Sequence, residues 1–182
     1  MTRIVSIIAT PNQSSRLLGV TNYVEQQLRE PKYELTTLQV TSIPAEDLIF
    51  ARFDSPAIAE ANALVEAADA VIIASPVYKA SYSGILKTYL DLLPQKGLDG
   101  KIVAPIFIGG TIAHLLSIDY SLKPVLASLG ARQYVSSIYA TDSQVTRTGQ
   151  GNDIAFELNE ELTARLDRTI EELRIDLARR SS

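Results

Sequence analysis

The chain has 182 residues, 46% hydrophobic and 21% charged, with a formal net charge of −4. That size and mixture fit one globular domain over residues 1–182 with a substantial core, and the acidic balance without any Lys/Arg cluster argues against a nucleic-acid partner. Zero cysteines exclude disulfides, thiolate metal sites and cysteine nucleophiles, and a single histidine leaves no set for an all-protein zinc site.

No apolar run approaches the roughly 20 residues of a membrane span. The opening MTRIVSIIAT is too short and too strand-like for a secretory leader, so a cytoplasmic location is expected. Arg3 to Ala9 reads as a first buried strand. The hydroxyl-rich stretch Thr10-Pro11-Asn12-Gln13-Ser14-Ser15-Arg16 follows, then an amphipathic helix carrying Leu17, Val20, Tyr23, Val24 and Leu28. Such a loop at a helix N-terminus suits an anion, because free N–H groups and the helix dipole both favour negative charge. The stretch has no G-x-G-x-x-G, and an ordinary capped turn explains it equally well in isolation. Its place directly after the first strand, where doubly wound sheets bind ligands, raises the phosphate reading.

Tyr33 to Val40 reads as a second strand at the sheet edge, and Ile43 to Phe53 as a connection with a short helical turn. Ser55-Pro56 starts a helix whose Ile58, Ala61, Leu64 and Val65 face inward. Ala70 to Ala74 is the central strand, stopped by Ser75-Pro76. The loop Val77 to Ser83 leads to a helix from about Gly84, capped by Ser81 or Ser83. That helix carries Ile85, Leu86, Tyr89, Leu90 and Leu93, and Pro94 ends it. Lys101 to Ile108 is a fourth strand, weakened by Pro105. Gly109-Gly110-Thr111 offers positive φ and close backbone approach to a ligand, and His114 beside it reads as structural more than catalytic.

A long apolar helix runs from Leu115 to Leu129 with Pro124 inside it, and Gly130 caps it. Pro124 lacks a donor and pushes its ring at the carbonyl of Tyr120, so the helix must kink or widen into a π-bulge. The residues alone favour the kink. Gln133 to Tyr139 is the fifth strand, Thr148 to Asn152 a polar loop, and Ile154 to Arg179 a closing helix. Strands alternating with helices imply a parallel sheet with right-handed crossovers.

The string SPVYKASYSGILKTYLDLLP at 75–94 resembles the signature of the NAD(P)H-dependent FMN reductases, most nearly those that feed two-component alkanesulfonate monooxygenases. ARFDSPAI at 51–58, GGTIAHLL at 109–116, DYSLKPVL at 119–126 and TDSQV at 141–145 fit the same family. The resemblance implies an α/β flavodoxin-like three-layer sandwich with a five-stranded parallel sheet of order 2-1-3-4-5. It also implies FMN and NADPH (or NADH) as cofactors, and hydride transfer between bound rings with no catalytic side chain and no metal. Thr10, Ser15 and Arg16 would hold the FMN phosphate, although Ala9-Thr10 and Asn12 depart from the family's Gly-Ser start and later arginine. Pro76, Val77, Tyr78, Lys79 and Ser81 would lie against the isoalloxazine, and Gly109, Gly110 and Thr111 at its far edge. Lys79 reads equally as a solvated surface lysine.

The resemblance favours the π-bulge, because flavin-transferring members carry an inserted tyrosine matching Tyr120. It implies a flavin-dependent monooxygenase as partner. The helices at 84–93 and 112–129 carry more apolar residues than one sheet-facing side can bury, so Tyr82, Tyr89, Tyr120 and Leu122 are expected at the boundary of a homodimer or, as the resemblance implies, a homotetramer. An FMN-retaining quinone or azo reductase, and a flavodoxin-type electron carrier, are the alternatives of the same fold.

Overall fold

Residues 4–8 and 70–76 are buried without interruption, so the strands they form are covered on both faces. The structure is a computed structural model that describes residues 1–149 and 153–180. Its main sheet is built from β1 (Thr2–Ile8), β2 (Tyr33–Gln39), β3 (Ala70–Tyr78), β4 (Ser81–Tyr82), β5 (Ile102–Gly109), β6 (Gln133–Tyr134) and β7 (Ile138–Thr141). The order is β2-β1-β3-β5-β6, all parallel, with β7 pairing β5 beyond β6 and β4 pairing β3 antiparallel. This is the flavodoxin-like α/β arrangement. It differs from a plain 2-1-3-4-5 count because a two-residue strand is inserted and the last strand is broken in two.

The helices are α1 (Arg16–Gln27), α2 (Ala45–Ile49), α3 (Pro56–Ala67), α4 (Gly84–Leu90), α5 (Lys123–Ser128) and α6 (Glu160–Arg180). Strand alternation sends Ile4, Ile8 and Ile72 to one face, where Leu17, Val20 and Val24 of α1 and Leu162, Leu166 and Ile170 of α6 cover them. Val5, Ile7, Val71 and Ile73 face the other way, under Ile58 and Val65 of α3 and Leu86 and Tyr89 of α4. Leu64, expected inside, is 37% exposed.

Pro76, read as a strand stop, lies inside a strand, as does Pro105 where it was expected, and the direction of the missing donor explains each. The Ala74 carbonyl accepts from the Ala9 N–H at 2.9 Å, so Ala74 and Pro76 turn their polar groups towards β1. β1 ends opposite Ala74, so Pro76 faces no ladder there and β3 continues to Tyr78. In β5, the Val103 carbonyl accepts from the Val135 N–H at 3.1 Å, so Val103 and Pro105 face the last strand. No donor is available at Pro105, and the predicted fifth strand splits there into β6 and β7.

The end of the chain also differs. Ile154 does not begin a helix: β8 (Val145–Thr148) and β9 (Ala155–Leu158) form an antiparallel hairpin, and of the predicted polar loop residues 150–152 lie outside the described residues. α6 starts at Glu160 because the Asn159 Oδ1 accepts from the Leu162 N–H at 2.9 Å, satisfying a first-turn donor. The expected helix from Leu115 opens instead with a 3₁₀ turn at Ile112–His114, and a π-helical turn at Ile118–Leu122 precedes α5. The widened turn is where Pro124 would otherwise press on Tyr120. An Asp119–Lys123 ion pair at 2.6 Å spans it, and the Ser121 hydroxyl donates to the Ser117 carbonyl. Among the described residues no helix is long and apolar enough to cross a membrane.

Tyr89 is fully buried, and its hydroxyl has no hydrogen-bond partner among the described residues. Burial pushes its pKa well above the usual tyrosine value. A raised acid keeps its proton in the folded chain while the unfolded chain releases it, so stability is lost as pH rises past about 10, by about 1.4 kcal/mol per unit for this residue. Tyr89→Phe is therefore expected to match the parent near neutral pH and outlast it in urea unfolding at pH 10–11. An unchanged alkaline decline in the variant would exclude Tyr89 as its source.

Candidate functional site

The carboxyl ends of β1, β3 and β5 open onto one edge of the sheet, and buried hydroxyls bolt the first two together. The Ser83 hydroxyl donates to the Ala9 carbonyl at 2.7 Å, while the Ser83 N–H donates to the Ser75 Oγ at 2.8 Å. The Ser75 hydroxyl in turn donates to the Pro76 carbonyl at 2.9 Å. Ser83 occupies the cap position of α4 but makes no side-chain cap, and Ser81 pairs with Tyr78 in the β3–β4 hairpin instead. Between them Lys79 and Ala80 take φ of 50° and 63°, the double left-handed geometry of a tight two-residue hairpin. Neither is glycine, so the turn carries strain of about 1–2 kcal/mol per residue. It lifts Tyr78 and Lys79 out to solvent, while Pro76 stays buried and Val77 half-buried.

The loop from Thr10 to Arg16 is held by its own polar groups. The Thr10 Oγ1 accepts from the Asn12 N–H at 3.3 Å, and the Asn12 Oδ1 accepts from both the Ser14 N–H and the Ser14 hydroxyl. Ser15 caps α1, its Oγ accepting from the Leu17 N–H at 3.2 Å. Arg16 is half-buried and donates through Nε to the Val145 carbonyl at 2.9 Å. It is not the only cation there: Arg147 of β8 donates to the Ser14 carbonyl at 3.2 Å and the Ser14 hydroxyl at 3.1 Å. Among the described residues neither guanidinium has a carboxylate partner. Hydroxyls, helix N–H groups and unpaired guanidinium groups form a donor set that suits a phosphate dianion.

On the far side, Gly109 lacks the positive φ expected of it and is needed for space. A Cβ there would stand 2.3 Å from the Tyr139 Oη and 3.3 Å from the Val77 Cβ. Tyr139 is buried and donates to the Thr111 carbonyl at 2.8 Å. Burial first, and then the Asp142 carboxylate, push its pKa up. A Cβ on Gly110 would meet nothing nearer than the Asp142 Oδ2 at 3.8 Å, so that backbone is open to a flat ligand. The Thr111 Oγ1 accepts from the Ala113 N–H at 3.2 Å and starts the 3₁₀ turn that holds His114.

Beyond these loops stands an exposed apolar rim: Tyr78 at 49%, Ile112 at 60%, Leu116 at 58% and Tyr120 at 79%. Two of the boundary residues read from the sequence do not belong to it. Tyr89 and Leu122 are 0% exposed within this chain's own core and have no surface to offer. A cavity of about 350 Å³ at the opposite, amino-end edge is lined by Glu66, Asp99 and Lys101. There the Lys101 amine donates to the Glu66 and Ala68 carbonyls at 2.8 Å each, ending α3.

Sequence reasoning placed Thr10, Ser15 and Arg16, Pro76 to Ser81 and Gly109 to Thr111 on three loops, whereas Arg16 opens α1, Pro76 to Tyr78 end β3, Ser81 begins β4 and Gly109 ends β5, all at the carboxyl edge of the sheet. It missed the Ser75–Ser83 bolt and Arg147. The alternating Val145-Thr146-Arg147-Thr148 was the available signal for a strand carrying that arginine.

A family model described as NADPH-dependent FMN reductase matches residues 2–146. An FMN reductase (NADPH) of Pseudomonas putida is 46% identical over 177 residues, 97% of this chain and 89% of that protein. One of Escherichia coli K12 is 44% identical over 143 residues, covering 79% and 75% of the two chains. Among solved structures, the apo form of an NADH:FMN oxidoreductase superposes with a TM-score of 0.84 at 30% identity, over 97% of this chain and 90% of that one.

Proposed function

The chain belongs to the NADPH-dependent FMN reductase family, and we propose that it passes its reduced FMN on to a partner flavin-dependent monooxygenase. Its activity is that of an NAD(P)H-dependent FMN reductase, an oxidoreductase. When both are bound, the nicotinamide and the flavin supply the chemistry, a hydride passing from C4 of one ring to N5 of the other. The chain's own task is to bind, stack and exclude water.

Thr10, Ser15 and Arg16 hold the phosphate in this reading. Val77, Tyr78, Lys79 and Ser81, backed by the buried Pro76, lie along the ring, with Gly109, Gly110 and Thr111 at its far edge. The observation that carries release rather than retention is the state of the phosphate loop. The Thr10 hydroxyl already donates to the Asn12 carbonyl at 3.4 Å, the Leu17 N–H to the Ser15 Oγ, and the Arg16 Nε to the Val145 carbonyl. A flavin held there competes with bonds the loop makes by itself, so the grip is weak and the flavin leaves.

The likeness of 75–94 to reductases of alkanesulfonate systems supports an oxygenase that removes the sulfonate group as the recipient. The exposed rim of Tyr78, Ile112, Leu116 and Tyr120 supports a homodimer or homotetramer in which a second subunit covers it. A monomer by light scattering at micromolar concentration would defeat that assembly.

The test is NADPH or NADH oxidation followed at 340 nm with colourless purified protein. Turnover only with added FMN is expected, along with sulfite release when an alkanesulfonate monooxygenase is supplied. Protein that purifies yellow and reduces quinones or azo dyes without added FMN would replace this reading with the flavin-retaining one.

A further inference from the structure

We propose that Arg147 is a second phosphate-binding arginine, beside Arg16, which makes the β8–β9 hairpin one wall of the flavin site. The inference rests on the reading that loop 10–16 holds the FMN phosphate. Arg147 pairs with Phe156 across the hairpin, so the two side chains share a face. That face is turned to α1: a Cβ on Gly19 would lie 2.5 Å from the Phe156 Cβ. Val145, two residues earlier and fully buried, faces the same way. The register therefore delivers Arg147 to the loop before α1, where its Nη1 holds Ser14 by both carbonyl and hydroxyl.

The strap is reciprocal, since Arg16 on that helix donates to Val145 on the hairpin. Two guanidinium groups are thereby held on one short loop at the positive end of a twelve-residue helix, with no carboxylate partner among the described residues. Like charges so placed repel each other and the helix end, and a phosphate dianion relieves both repulsions. The bonds to Ser14, inside the loop, favour the flavin phosphate over the 2′-phosphate of a nicotinamide nucleotide.

The experiment measures dissociation constants for FMN and for riboflavin, which lacks the phosphate, with the parent, Arg147→Gln and Arg16→Gln. Thermal midpoints show that the hairpin stays folded. Arg147→Gln is expected to weaken FMN about tenfold and riboflavin less than about twofold, as loss of one charge-assisted hydrogen-bonding group would. Arg147→Lys, which keeps the charge and loses the fork, is expected to fall between, and it decides the matter if the glutamine variant does not fold. Equal losses for both flavins would reduce Arg147 to a brace for the loop and overturn the proposal. So would a rise in KM for NADPH alone with FMN affinity unchanged. If Arg16→Gln separates the two flavins and Arg147→Gln does not, the phosphate loop stands and this inference falls. If neither separates them, the phosphate reading itself falls.

Discussion

Gly109→Ala is expected to cost about 2–4 kcal/mol of stability and to take FMN binding with it. The added methyl would enter the space of the Tyr139 hydroxyl at 2.3 Å, far inside contact distance. Tyr139 cannot retreat cheaply, because it is 1% exposed and its hydroxyl is committed to the Thr111 carbonyl. Overpacking a filled core costs about 1–3 kcal/mol, and losing a hydrogen bond adds about 1 more. For a chain of this size the sum lowers the thermal midpoint by roughly 5–15 °C. What yields first is the Gly109–Thr111 backbone, which forms the far edge of the proposed ring site. Tyr139→Phe in the same chain removes the clashing oxygen and should return most of the stability. An additive double variant would show that the Tyr139 hydroxyl is not the obstacle.

Deleting Tyr120 is expected to change the colour of the purified protein from none to yellow. The turn at Ile118–Leu122 holds one residue more than an α-helical turn, and Tyr120 at its middle is 79% exposed. Removing that residue brings the backbone back to i→i+4 pairing and turns everything beyond it by about 100° and 1.5 Å. The rim loses its most exposed aromatic, and β4, which packs against this turn, loses its present support. The assembly is then expected to change mass, and the flavin to remain bound through purification. A regular turn sets the Pro124 ring against a carbonyl four residues earlier, so Pro124→Ala in the deletion background guards against simple misfolding. A folded deletion variant that stays colourless, active and unchanged in mass would refute this role for Tyr120.

Much of the molecule was legible because it is written locally. The apolar runs at 4–8 and 70–74 state by themselves that their strands are buried on both faces. The order of strands and helices, the edge position of Tyr33–Gln39 and the loops after the first, central and fourth strands follow from period and from turn residues a few positions apart. The Pro124 conflict with Tyr120 is likewise a matter of four residues, and it marked the place of the π turn.

What the sequence could not state is which partner each polar group finds across the fold. Pro76 reads locally as a breaker and Pro105 as a weak point in its strand, yet their effect depends on which neighbour their missing donor faces, and that is a property of the sheet. Ser83 has the sequence context of a helix cap, but the Ala9 carbonyl, 74 residues away, takes its hydroxyl. Gly109 suggests a turn, and only the Tyr139 hydroxyl packed beside it shows that the requirement is space. Arg147 reaches Ser14 across 133 residues, because an antiparallel register turns it to the same face as Phe156 and that face lies on α1. Periodicity and propensity act within a few residues and determined the elements. Contacts at long separation exist only once the elements have packed, and those contacts decided how loop 10–16 is charged and how the loops at the carboxyl edge of the sheet are held together.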